Sequence, residues 1–136
     1  SLHGDGELQE GQIWEAALYA AANKVDNLIS TIDYNGRQID GDLEDVLPMG
    51  NLVQKWQAFG WEVLEMDGHN IDEIKTTLAK AKSLVGNGKP IMIVMTTEMG
   101  QGVDYMMGTH KWHGTTPNEE QLTNALGQLE ETLGDY

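Results

Sequence analysis

An α/β fold with a mainly parallel sheet flanked by helices is the architecture that the sequence predicts, and three observations carry it. Short apolar, β-branched runs alternate with stretches of helical periodicity, the pattern of a layered α/β domain. The run IMIVM at 91–95 contains no polar residue, as expected of a strand covered on both faces in a parallel sheet. Gly60 and Asn87-Gly88 stand where one period gives way to another, so each helix has a place to stop.

Residues 12–24 place Ile13, Ala16, Ala17, Ala20 and Ala21 at helical spacing in an alanine-rich stretch, which predicts a helix. Residues 28–34 are short and β-branched and end at Asn35-Gly36, a strand followed by a turn. The Gly, Asp and Asn content of 35–48 predicts an irregular loop. Leu52, Val53, Trp56 and Phe59 mark a short amphipathic helix that Gly60 can end through a left-handed cap, before a strand at 61–66. Ile71, Ile74, Leu78, Ala81 and Val85 form another helical stripe with the lysines outside it, and the strand 91–95 follows. Gly100, Gly102, Gly108 and Gly114 make 98–117 a long loop of the functional or mobile kind. Leu122, Ala125, Leu126, Leu129 and Leu133 define a last helix.

A chain of 136 residues with 40% hydrophobic composition suits one compact domain, residues 1–136. Its 22 acidic against 8 basic residues, a formal net charge of −14, repel phosphate backbones and anionic bilayers, so neither nucleic acid nor membrane is an expected partner. No apolar run approaches the ~20 residues of a membrane helix. Without cysteine there is neither a disulfide framework nor a thiolate metal site, a composition that suits a reducing cytoplasm. Ser1 in place of methionine, and a turn motif after only three residues, lead us to expect an N-terminally truncated domain.

In parallel sheets ligands sit beyond the carboxyl ends of the strands, which directs attention to the loops after Tyr34, Met66 and Met95. Gly4-Asp5-Gly6 and Asn35-Gly36 would reach that same edge. A carboxylate, an amide and a backbone carbonyl form an all-oxygen set that magnesium accepts when phosphates and water complete its shell. The flanking glycines admit a phosphate close to the backbone, and a helix starting near Gly11 would direct its positive end there. Two ordinary turns would read the same way, since both dipeptides are common in turns.

Ordered motifs along the chain decide between them. GDGELQEGQIWEAA at 4–17, DNLI at 26–29 and YNGRQIDG at 34–41 resemble the thiamine-diphosphate signature as transketolases carry it, with Asp5 and Asn35 30 positions apart. KWQAFGWEVLEMDGHN, GKPIMIV and KWHGTTPNEEQL continue the resemblance in order over essentially the whole chain. The GDGELQEG version is similar to the short bacterial and archaeal transketolases whose two halves are often separate subunits. The resemblance implies a thiamine-diphosphate-binding fold, specifically the C-terminal portion of a diphosphate-binding domain, and a cofactor pair of thiamine diphosphate and Mg2+.

Position by position, it implies that Asp5, the Asn35 side chain and the Arg37 carbonyl bind the metal. Gly4 and Gly6 border the diphosphate, with the Gly6 N–H donating to it, and Ile39 and Met99 are apolar contacts beside the cofactor. Met99 stands where isoleucine is common in the family, and Tyr34 where aspartate is common. His113, in Trp112-His113-Gly114, matches the histidine lying against the diphosphate and reacting substrate, where an imidazole can relay protons. His110 reads as structural, and His3 and His69 as loop hydrogen-bonding groups. Glu10 and Glu15 match a carboxylate network at the family's subunit interface, although with Glu7 they equally suit a helix dipole.

The implied parent reaction transfers two-carbon ketol units between sugar phosphates. The glutamate that activates the aminopyrimidine belongs to the other half of the enzyme, so this chain is expected to be inactive alone and to assemble with that half as a homo- or hetero-oligomer. Another thiamine-diphosphate enzyme, such as a deoxyxylulose-phosphate synthase or a dehydrogenase E1 subunit, fits the metal motif but not WHGTTP. A non-catalytic assembly module is the reading from a different class. The sequence further predicts an exposed apolar patch with self-association, and a segment 1–7 hanging from a cut strand that, like the loop 98–114, is displaced or mobile.

Overall fold

The computed structural model describes residues 1–130. Its centre is a four-stranded sheet in the order β1-β2-β6-β5, formed by β1 (Leu2–Gly4), β2 (Ile29–Tyr34), β5 (Glu62–Asp67) and β6 (Ile91–Thr96). Every pairing in it is parallel, with Thr31 opposite Leu2, Ile93 opposite Thr31, and Ile93 opposite Leu64. The three longer strands lie where the apolar runs predict them, each within a residue of the expected ends.

Alternation along β6 explains its unbroken apolar run. Met92 and Val94 join a core with Ala17 and Ala20 of α1 (Gly11–Ala22) and Leu52 and Trp56 of α3 (Leu52–Ala58). Ile91 and Ile93 join a second core with Ala81 of α4 (Ile71–Leu84), on the opposite face. All four side chains are buried, each contributing about 1.5–3 kcal/mol by leaving water. On the first face Trp14, Trp56 and Trp61 pack ring against ring at 4.9–5.2 Å, and Trp61 Nε1 donates to the Ala17 carbonyl at 3.0 Å. That bond satisfies the buried indole and locks α1 onto the sheet.

Several expectations are corrected. The segment 35–48 is not irregular: β3 (Arg37–Gln38) and β4 (Gly41–Asp42) form a small antiparallel hairpin that runs into α2 (Leu43–Val46). Leu43 is buried and anchors it to the first core, a role its polar surroundings conceal. Segment 1–7 is not displaced, because β1 pairs along β2 and the Asp5 N–H continues the ladder to the Asp33 carbonyl at 3.2 Å. Helix α1 stops at Ala22 because Lys24 takes a left-handed conformation, φ 53°.

The last helix, α5 (Glu119–Gln128), begins earlier than its leucine stripe because Asn118 and Gln121 form a reciprocal capping box. It ends before Leu129, and Leu133 lies outside the described residues. Only Ala125 of its stripe is buried; Leu122 and Leu126 are exposed, as are Leu18 and Tyr19 of α1. No helix among the described residues is long and apolar enough to cross a membrane.

Candidate functional site

The carboxyl ends of β1 and β2 open into a cavity of about 310 Å³, and its floor is Asp5. This aspartate is 1% exposed. Its Oδ1 accepts from the Gly6 N–H at 2.7 Å and its Oδ2 from the Gly36 N–H at 2.6 Å, so one carboxylate ties the turn after β1 to the turn after β2. Gly36 takes φ +73°, a left-handed conformation that turns its N–H toward the acid. Asn35, next in the chain, is held by its own turn, its Oδ1 accepting from the Arg37 N–H at 2.9 Å.

Burial pushes the Asp5 carboxyl above its ordinary value; the amides of Gly36, Gly6 and Asn35 pull the other way, and the nearby Asp33 carboxylate adds to the upward push. Arg37, the basic side chain lining the cavity, does not relieve this. Its Nη1 donates to Glu98 Oε1 at 2.7 Å and its Nε lies 3.4 Å from Asp42 Oδ1, too poorly aligned for a hydrogen bond. A buried acid with a second acid beside it and the guanidinium turned away is an environment that a cation fits. Among the described residues no three His, Cys, Asp or Glu side chains cluster as a self-sufficient metal site. The cavity instead brings together the Asp5 carboxylate and Asn35, oxygen-bearing groups of the kind that could hold a hard cation sharing ligands with a phosphate.

Gly4 supports the same fit. A Cβ there would meet nothing within 4 Å, and its φ is not in the left-handed region, so neither protein packing nor conformation demands glycine. The space is free for a ligand that approaches the backbone. At Gly6 an added Cβ would lie 3.0 Å from Gln38 Cβ, so a side chain there would press on the hairpin.

Of the residues singled out from the sequence, Gly4, Asp5, Gly6, Asn35, Arg37, Ile39 and His113 all line this cavity, and Met99 does not. Ile39 offers a 66% exposed apolar side chain. His113 is exposed, fixed through its N–H to the His110 carbonyl at 2.9 Å. His3 bonds to Glu7 and Ser1, and His69 Nε2 accepts from the Glu98 N–H at 2.8 Å; both therefore make local hydrogen bonds. Glu10 and Glu15 are exposed.

Sequence reasoning missed Asp33, Gln38, Thr97 and Glu98. Asp33 was within reach, since it is the penultimate residue of β2, near the ligand-facing edge; its Oδ1 accepts from the Thr97 hydroxyl. Glu98 had no local signal. Its Oε1 accepts from both Arg37 and the Gly108 N–H, at 2.8 Å for the latter. The Gly108 bond, followed by the Arg37 pair and His69, holds this carboxyl below the usual range.

Residues 1–132 match the family model described as transketolase, thiamine diphosphate binding domain. The chain belongs to this family. Among curated relatives of this transketolase chain, the 6-deoxy-6-sulfo-D-fructose transketolase subunit of a Clostridium species is 44% identical over 130 residues, 96% of the chain and 46% of the relative. An apulose-4-phosphate transketolase subunit from Phocaeicola vulgatus is 40% identical over 132 residues, 97% and 46% respectively. The crystal structure of transketolase from Campylobacter jejuni superposes with a TM-score of 0.84 at 37% identity, over 93% of this chain and 20% of that one. The chain thus spans less than half the length of these curated relatives.

Proposed function

We propose that this chain supplies the diphosphate and Mg2+ site of a transketolase that moves two-carbon ketol units between sugar phosphates. The observation that carries the reading is the buried Asp5 carboxylate, held by two backbone N–H groups from adjacent turns in a cavity lined by two glycines and Asn35. Asp5, the Asn35 side chain and the Arg37 carbonyl would hold the metal; Gly4 and Gly6 would give the diphosphate access to backbone, and Ile39 would be an apolar contact beside the cofactor. Thiamine diphosphate would supply the carbon nucleophile that ketol transfer requires.

The protein's own work is positioning and proton handling. The Asp5 carboxylate must be ionised to hold a cation, and the cation removes the penalty that burial places on that ionisation. His113, at the open rim, moves a proton at a substrate hydroxyl or at the diphosphate. Met99, the second apolar contact assigned to the cofactor, lies outside the cavity lining.

The activating glutamate and the pocket for the pyrimidine belong to a complementary half, as a separate subunit or domain, and the chain alone is inactive. The relatives' names as transketolase subunits support a partner of this kind. Exposed Leu18, Tyr19, Leu122 and Leu126 suit such an assembly, and the reading places the enzyme in the cytoplasm and its substrates in pentose phosphate metabolism. Calorimetric titration of thiamine diphosphate with Mg2+ tests the site. Binding should be weak in the isolated chain, tighten when the other half is added, and be lost in Asp5→Ala. Unchanged binding in Asp5→Ala would sink the assignment.

A further inference from the structure

Four segments meet at Glu98. Its backbone N–H donates to His69 Nε2 in the turn after β5, and it directly follows Thr97, whose N–H donates to the Tyr34 carbonyl at 3.1 Å. One oxygen of its side chain, Oε1, takes two donors, Arg37 Nη1 at 2.7 Å and the Gly108 N–H at 2.8 Å. Arg37 belongs to the hairpin that follows Asn35; Gly108 stands five positions before His113 in the long loop. A single carboxylate oxygen therefore links the cavity-lining Arg37 to Gly108, in the loop that carries the cavity-lining His113.

We infer that Glu98 is a positioning residue for the cofactor site: by holding Arg37 and Gly108 together it sets the separation between the metal-binding hairpin and the loop that presents His113. The inference rests on the transketolase reading of the cavity. Three features favour this role over a chance surface pair. The Arg37 side chain is only 18% exposed and lines the cavity. The shared oxygen makes both bonds charge-assisted, so neutralising it weakens both at once. The Glu98 backbone is fixed independently by His69, which gives the carboxylate a stationary base. With the Glu98 carboxylate reaching solvent, at 36% exposure, the pair adds little to global stability, so its effect falls on local geometry.

The test uses the enzyme assembled with its complementary half, in four variants: Glu98→Ala, Glu98→Gln, Arg37→Met and the double variant Glu98→Ala/Arg37→Met. Replacing Arg37 by methionine leaves its backbone carbonyl available as a metal ligand. Each of the two truncating changes should weaken thiamine diphosphate binding at saturating Mg2+ by roughly 10- to 100-fold, as loss of a group that orients metal ligands does. The double variant should bind no worse than the weaker single one, because both changes break the same link. Glu98→Gln should recover part of the loss.

Amide exchange without cofactor gives a second readout: Glu98→Ala should speed exchange in both 35–41 and 108–113. Wild-type affinity in Glu98→Ala, independent additive losses, or faster exchange in 108–113 alone would each overturn the inference. If Asp5→Ala binds as wild type does, the transketolase reading of the cavity fails instead, and exchange decides whether Glu98 couples the hairpin to the long loop.

Discussion

A methyl group added at Gly4 or Gly36, beside the Asp5 cavity, would meet no atom within 4 Å, whereas one added at Gly100 would lie 2.5 Å from Met106 Cβ and 2.9 Å from Met106 C. At Gly102 it would lie 2.9 Å from Leu129 Cδ2. The two glycine-bearing regions at the carboxyl end of the sheet therefore use the residue for different ends. In 98–117 Gly100 and Gly102 let the chain pack against itself, while Gly108 and Gly114 meet nothing. Around Asp5, where Gly6 is close-packed against Gln38, Gly4 and Gly36 leave room that the protein does not fill, and that is the property of a ligand site.

The long loop is built like a small folded unit. Val103 is buried, Trp112 Nε1 donates to the Tyr105 carbonyl at 2.8 Å, and the two rings stack edge-on at 5.1 Å. The Tyr105 hydroxyl donates to the Gln121 carbonyl at 2.7 Å and the Asp104 N–H to Gln128 Oε1 at 2.8 Å, pinning the loop to α5. The cavity loops are held instead by two donors on one buried acid. One region is stabilised by apolar and aromatic packing, the other by a polar knot whose charge is left for a ligand to balance.

Gly100→Ala should show the contrast most strongly. The substitution combines φ +75° with a contact on backbone that cannot yield, so the left-handed penalty of about 1–2 kcal/mol adds to overpacking of about 1–3 kcal/mol. Thermal unfolding should show a loss of roughly 2–4 kcal/mol, the larger part of that combined range. A variant as stable as wild type would mean that the loop does not pack as described. Tyr105→Phe removes one hydrogen bond and keeps the ring, so a loss of about 1 kcal/mol is expected, with exchange accelerated in 98–117 and not at 35–41. Equal acceleration in both regions would erase the distinction between them.

The sheet was legible in the sequence because period and burial coincide there: IMIVM alternates between two cores, and no other element type satisfies both. The donors around Asp5 were legible through ordered motifs, and the structure gathers all of the named residues except Met99 into one cavity. What escaped was determined by distant partners. The hairpin after Asn35 depends on Leu43 finding the core, and Glu98 meets Arg37 across 61 positions of sequence, a contact that no local period encodes. The leucine stripe of α5 misled in the opposite sense, since most of it remains exposed among the described residues.

Gly4→Ala is the smallest perturbation to the fold and the sharpest probe of the comparison. The added methyl group enters open space without forcing an unfavourable φ, so stability should change by no more than about 0.5 kcal/mol. The same methyl group occupies the approach to the backbone that Gly4 leaves clear above Asp5, and a phosphate needing that approach must retreat or tilt. Thiamine diphosphate affinity should therefore fall by at least about tenfold, equivalent to about 1.4 kcal/mol, while the unfolding midpoint without cofactor stays at the wild-type value. Gly100→Ala should behave inversely, losing stability before it loses affinity. If Gly4→Ala instead unfolds early and binds normally, the open space at Gly4 serves the protein's own packing, and glycine has the same role in both regions.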